Sequence, residues 1–250
     1  MSAEKYFACA GNIYEKIRAT QLANIRQAAM FAADSIARGG LAHLFGSGHS
    51  VIPVLDVFPR YGSFAGFHPL LDARLMWTQV LGSGGVRELL NLERTEGYVK
   101  EFLSNFRFEP TDTLIVYSHG GMNAAPVEAA LYGRSAGMKL VAVTSLENAR
   151  RSEATHSSGK NLADLGDVVI DNCCPPEDAL VEVAGARVAA SSTLAVVAIS
   201  MALVAETAAK LAERGVKLRA FASPNVPGVG PENNLQVFDD YARRIAPRLR

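Results

Sequence analysis

Apolar side chains recur at 6, 10, 13 and 17 and then at 22, 25, 29, 32 and 36, a three-and-four spacing that slips by one step near Gln21. This predicts one long kinked helix or two successive helices, stopped by Gly39-Gly40. The period then changes. Short apolar runs at 41–46, 113–118 and 139–145, with weaker ones at 61–69 and 167–173, read as strands. Between them helical patterning returns at 51–58, within 85–106, at 123–136, and from a cap at Ser191, Ser192 or Thr193 to Gly215. Pro53 falls in the first turn of the 51–58 helix, where a helix tolerates it. A last short helix is expected in the Pro/Gly-rich tail.

Strands alternating with helices at this spacing argue a parallel sheet covered on both faces, with ligands bound beyond the carboxyl ends of the strands. Two strand ends share one design there. "LAHLF" runs into Gly46-Ser47-Gly48-His49-Ser50, and "TLIVY" runs into Ser118-His119-Gly120-Gly121-Met122-Asn123, each just before a helix. Glycines let a backbone approach a ligand closely, and free N–H groups of a first helical turn attract an anion such as phosphate. Serine hydroxyls add donors that rotate to fit. Thr144 and Ser145 stand at a third strand end on the same rim. Glycine, serine and asparagine also serve as plain turn and cap residues, so the repetition at three strand ends carries the ligand reading.

Two nucleotide motifs fail. A dinucleotide fingerprint wants Gly or Ala where Val51 stands and an acid at the end of the next strand, and a P-loop wants Lys-Ser or Lys-Thr after the glycines. The 25 basic and 25 acidic side chains cancel, which leaves no field for a polyanion and argues against nucleic acid or a membrane as partner. The three cysteines, Cys9, Cys173 and Cys174, fit neither a disulfide framework nor a zinc site. A reducing cytoplasm is expected, with no metal and no cofactor. The first six residues are not a signal peptide, and the most apolar run, 194–205, is short of the roughly 20 residues that span a bilayer. It reads as a core helix.

Taken together, "FGSGHS", "LERTEGY", "SHGGMNAAPVEAA", "VTSL", "HSSGKNLADLGDVVIDNC" and the "SST" before the core helix resemble the sugar isomerase (SIS) domain proteins, in particular the small phosphoheptose isomerase-like bacterial group. The resemblance covers nearly the whole chain. It implies an α/β fold, a three-layer, flavodoxin-like sandwich around a five-stranded parallel sheet. The expected organisation is one SIS domain over 1–250, with an N-terminal helical segment (1–38), an α/β core (39–215) and a tail (216–250). It also implies phosphosugar ligands, and dimers or tetramers with sites near subunit boundaries. The second loop of the family reads Ser-x-Ser-Gly-x-Ser/Thr. Here Ser118 and Gly121 match, while Gly120 replaces the middle serine and Asn123 the final hydroxyl.

An aldose–ketose isomerisation moves a proton between C1 and C2 through an enediol, and so needs a base near carbon and donors near both oxygens. Phosphoheptose isomerases carry a glutamate after the first loop and a histidine on the last core helix. The nearest acid here is Asp56, and 192–211 holds no histidine, so phosphoheptose isomerase itself is not expected. The candidate catalytic residues are Glu182, in a place where related isomerases present an acid, His156 and Asp56. The candidate ligand contacts are 46–50, 118–121, Asn123, Thr144, Ser145, Lys160, Ser192 and Thr193. Glu128 is expected only to complement a helix dipole. Two other classes stay open, a non-catalytic phosphosugar sensor and a lyase or deglycase acting on a modified amino-sugar phosphate. The apolar surface of the first and last core helices predicts burial against a second subunit, as a homodimer or homotetramer.

Overall fold

The computed structural model describes residues 1–250. The five apolar runs form parallel strands: β1 (Ala42–Gly46), β2 (Phe67–Pro69), β3 (Thr113–Tyr117), β4 (Lys139–Thr144) and β5 (Val168–Asp171). They pair in the order β2-β1-β3-β4-β5. Gly46 lies opposite Tyr117, and Tyr117 opposite Val143, so the carboxyl ends of the three central strands finish level. β1 and β3 are buried along their whole length. Strands covered on both faces read as continuous apolar runs, which is why these were legible.

Helices cover both faces. Ala42, Leu44, Ile115, Tyr117, Val141 and Val143 pack against α2 (Leu22–Ala37), α3 (Val51–Val57) and α9 (Ser192–Glu213). Phe45, Leu114, Val116, Leu140 and Ala142 point the other way, toward α5 (Tyr98–Leu103), α6 (Ala124–Ser135) and α8 (Leu162–Leu165). The break between α1 (Ser2–Thr20) and α2 falls at Gln21. Gln21 is buried, and its Oε1 accepts the Asp171 N–H at 3.0 Å, which pins the kink to the end of β5.

Several elements differ from their sequence patterns. The run at 61–69 contributes only Phe67–Pro69, because Gly62 (φ 88°) and Gly66 (φ 141°) turn the chain before it can pair. The 85–106 segment is two helices, α4 (Val86–Leu92) and α5, divided at Gly97 (φ 90°). The short helices α7 (Leu146–Arg151) and α8, and a hairpin of β6 (Val181–Val183) and β7 (Ala186–Val188), fall below the length at which periodicity shows. At 22 residues α9 is longer than its 194–205 apolar run and, by length and composition alone, could cross a membrane; it packs along α2 and α3. The tail helix α10 (Glu232–Ile245) has 14 residues, longer than the short helix expected there.

The amino-terminal edge of the sheet is closed by Asp112. Its carboxylate accepts Arg248 Nε at 2.9 Å and Nη2 at 2.8 Å, together with the N–H groups of Leu41 (2.9 Å) and Glu109 (3.1 Å). His43 Nε2 lies 3.4 Å away. This knot stands at the edge opposite the glycine loops.

Candidate functional site

In this strand order the sheet is extended one way from β1 to β2 and the other way from β3 onward, so β1 and β3 flank the switch point where open α/β sheets bind ligands. Both glycine loops leave the sheet there. A Cβ on Gly46 would sit 2.1 Å from Ser50 O, so only glycine lets the first loop fold back. Gly121 (φ 69°) plays the same part in the second loop, where a Cβ would meet Thr144 Oγ1 at 2.9 Å. The Gly121 N–H donates to Ser118 Oγ at 3.0 Å and closes that loop on itself. The N–H groups of Ser47, His119, Gly120 and Asn123 donate to no acceptor in the chain.

One carboxylate ties the two loops together. Ser47 Oγ donates to Glu93 Oε2 at 3.1 Å, and Asn123 Nδ2 donates to Glu93 Oε1 at 2.9 Å. The Glu93 carbonyl in turn accepts the Ala125 N–H at 2.9 Å. Burial pushes the Glu93 carboxyl above its ordinary range; the Ser47 hydroxyl and neighbouring Arg94 offset this only in part. A buried acid with a raised pKa at a sheet switch point is suited to carry a proton.

Beside the loops lies a cavity of about 230 Å³, lined by His49, Ser50, His119, Asp178, Ser192 and Thr193 among others. His119 is held in one orientation. The Cys174 N–H donates to Asn172 Oδ1 at 3.0 Å, which leaves Asn172 Nδ2 to donate to His119 Nδ1 at 3.1 Å. The other ring nitrogen, Nε2, therefore carries the hydrogen and donates to Pro176 O at 3.3 Å. His49 is exposed at the mouth, with the Trp77 ring 4.5 Å from its centroid.

Residues 5–145 match the family model of the SIS domain. The chain belongs to the SIS domain family. Curated relatives include the UPF0309 protein TTE0306 of Caldanaerobacter subterraneus, 35% identical over 236 residues (92% of this chain, 94% of that one). The UPF0309 protein GK1441 of Geobacillus kaustophilus is 32% identical over 243 residues (96% and 94%). Among solved structures, the phosphoheptose isomerase of Neisseria gonorrhoeae superposes with a TM-score of 0.55 at 13% identity, over 83% of this chain and 97% of that one. That of Francisella tularensis gives 0.50 at 15%, over 84% and 96%. At such identities the superpositions show the fold.

Within the SIS frame the candidate residues fall into three groups. His49, Ser50, His119, Ser192 and Thr193 line one cavity, and Glu93 links Ser47 of the first loop to Asn123 of the second. Thr144 and Ser145 are fully buried behind the second loop. Thr144 Oγ1 and the Ser145 N–H donate to His119 O at 3.3 and 3.1 Å, and Ser145 Oγ donates to Cys174 O at 3.0 Å. They shape the loop instead of facing a ligand.

The three catalytic candidates do not meet. Asp56 is engaged by Arg60 Nη1 at 2.6 Å to both oxygens. Glu182 is exposed on β6, and neither residue lines the cavity. His156 borders a separate recess with Lys100, Glu128 and Tyr132, its Nε2 3.8 Å from Glu96 Oε2. Lys160 is exposed in the same loop. Glu128 accepts the N–H groups of Gly97 and Val99, so it caps α5 and not the helix that carries it. No three His, Cys, Asp or Glu side chains gather as a metal-binding set.

Glu93 and Asp178 are the residues that sequence patterning missed. Glu93 belongs to the "LERTEGY" stretch, whose helical spacing marks a solvated acid as readily as a buried one.

Proposed function

We propose that this SIS protein binds a sugar phosphate at the loops after β1 and β3 and interconverts an aldose and a ketose through an enediol. The observation that carries the reading is Glu93, bridged to both loops and raised in pKa at the switch point. Glu93 would take the proton from one carbon and return it to the other, the hydroxyl proton passing from one oxygen to the other in the same exchange, so that no proton is gained or lost. Unpaired amides at Ser47, His119, Gly120 and Asn123 suit the phosphate. The two superposed phosphoheptose isomerases, proteins of similar fold, support the same substrate class.

The test is solvent-deuterium uptake at C1 or C2 across a panel of aldose and ketose phosphates. The expected result is uptake with at least one of them, reduced about 100-fold or more in Glu93→Gln with binding retained. Binding without uptake would reduce the protein to a sensor, and loss of a substituent instead of uptake would make it a lyase.

The assembly proposed is a homodimer or homotetramer formed through α1 and the adjoining face of α9. Phe7 is 74% exposed and Leu194 48% exposed, and Tyr14 is also open. Sedimentation at micromolar concentration is expected to give at least twice the chain mass. The three free cysteines support a reducing, cytoplasmic location.

A further inference from the structure

The start of α9 is where a 22-residue helix would present its first amides to an anion, and it opens on the cavity. That position is already filled from within the chain. Asp178 Oδ1 accepts the Ser191 N–H at 2.8 Å, the Ser192 N–H at 2.7 Å and Ser191 Oγ at 3.2 Å, and Oδ2 accepts Ser192 Oγ at 2.6 Å. The backbone of Asp178 (φ 47°) is left-handed, a conformation that aspartate tolerates better than most residues, and it aims the carboxylate back at the helix.

We propose that Asp178 is a specificity-determining residue: its carboxylate occupies the anion position at the start of α9, so this end of the cavity accepts a hydroxyl or ammonium group and rejects a second anion. A carboxylate offers about four acceptor sites. Three donors converge on Oδ1 and only one on Oδ2, which leaves Oδ2 able to accept from a ligand. Burial would raise the Asp178 carboxyl, but the bonds from Ser192 and from the two amides, with His119 nearby, hold it below its ordinary value. No lysine or arginine lines the cavity or pairs with Asp178.

The ligand side of this inference rests on the phosphosugar reading and gives that ligand a direction. Its phosphate lies toward the loops after β1 and β3, and its hydrogen-bond-donating end, a free hydroxyl or amine, toward Asp178. A sugar bearing an acidic group at both ends does not fit.

Two measurements test it. In the first, inorganic phosphate is titrated into 15N-labelled protein and the Ser191 and Ser192 amide resonances are followed. They are expected to stay in place in the wild type and to shift, saturably, in Asp178→Ala, where phosphate takes the vacated position. Wild-type shifts at these amides, or none in the variant, would overturn the proposal.

In the second, calorimetry compares glucosamine 6-phosphate, glucose 6-phosphate and glucose 1,6-bisphosphate. The wild type is expected to bind the bisphosphate at least tenfold more weakly than the two monophosphates. Asp178→Asn, which keeps an acceptor for the two amides, is expected to close that gap. Equal wild-type affinity for mono- and bisphosphate would count against the proposal. Binding of none of the three would remove the phosphosugar reading alone, and the phosphate titration would still decide the role of Asp178.

Discussion

Adjacent glycines in the second loop are there for different reasons. At Gly120 an added Cβ would meet nothing closer than Asn148 Nδ2, at 3.7 Å, an ordinary contact. At Gly121 it would face both a left-handed backbone and Thr144 Oγ1 at 2.9 Å. Gly120→Ser is therefore expected to change unfolding free energy by no more than about 0.5 kcal/mol. The hydroxyl it adds next to an unpaired amide should tighten sugar-phosphate binding. Gly121→Ala is expected to cost about 1–3 kcal/mol. Urea melts of the two variants, with phosphate-ligand titration of the first, check both. The loop residues were legible because a glycine before a helix has few explanations. Glu93 was not, since its role depends on side chains 46 and 30 positions away in sequence. Nor could spacing tell that Thr144 and Ser145 turn inward, because orientation at a strand end is decided by the turn that follows.

Among the elements, the legible ones are those whose burial is extreme. β1, β3 and β4 sit between helix layers and show it as unbroken apolar runs, whereas the β6–β7 hairpin is exposed over most of its length and leaves no such trace. The hairpin matters all the same, because it follows Asp178 directly and precedes the helix that Asp178 caps. The α1–α2 break was visible as a slip in periodicity, but its cause was not: a glutamine side chain completing the hydrogen bonding of β5. Replacing it leaves the Asp171 N–H without that acceptor. Gln21→Leu is expected to cost about 1–3 kcal/mol. Hydrogen exchange should show the loss first at Asp171 and the residues of β5, ahead of β1 and β3.

Across the whole molecule, opening in acid should begin at the edge of the sheet away from the cavity. Burial lowers the pKa of His43, and lowers that of His68 to about 3; the pairing with Arg248 and His43 outweighs burial to hold Asp112 far below its usual range. All three depressed values act in the same direction, because the unfolded chain binds protons that the folded one refuses. Both histidine contributions are complete above about pH 6.5, their unfolded value, and are lost as pH falls, that of His68 fading toward about 3. The Asp112 contribution fades only below about pH 4. Urea midpoints are therefore expected to fall steadily from pH 7 to pH 4, and His68→Asn to flatten that profile. Arg248→Met should cost about 3–5 kcal/mol by leaving Asp112 charged, buried and short of its partner.

The contact between Trp77 and His49 has a practical consequence. The chain contains a single tryptophan, so all indole emission originates at the mouth of the cavity. Movement of the first loop, or a change in the imidazole, is expected to alter that emission, so that entry and exit of a small molecule should be open to timing by stopped-flow optics without a dye.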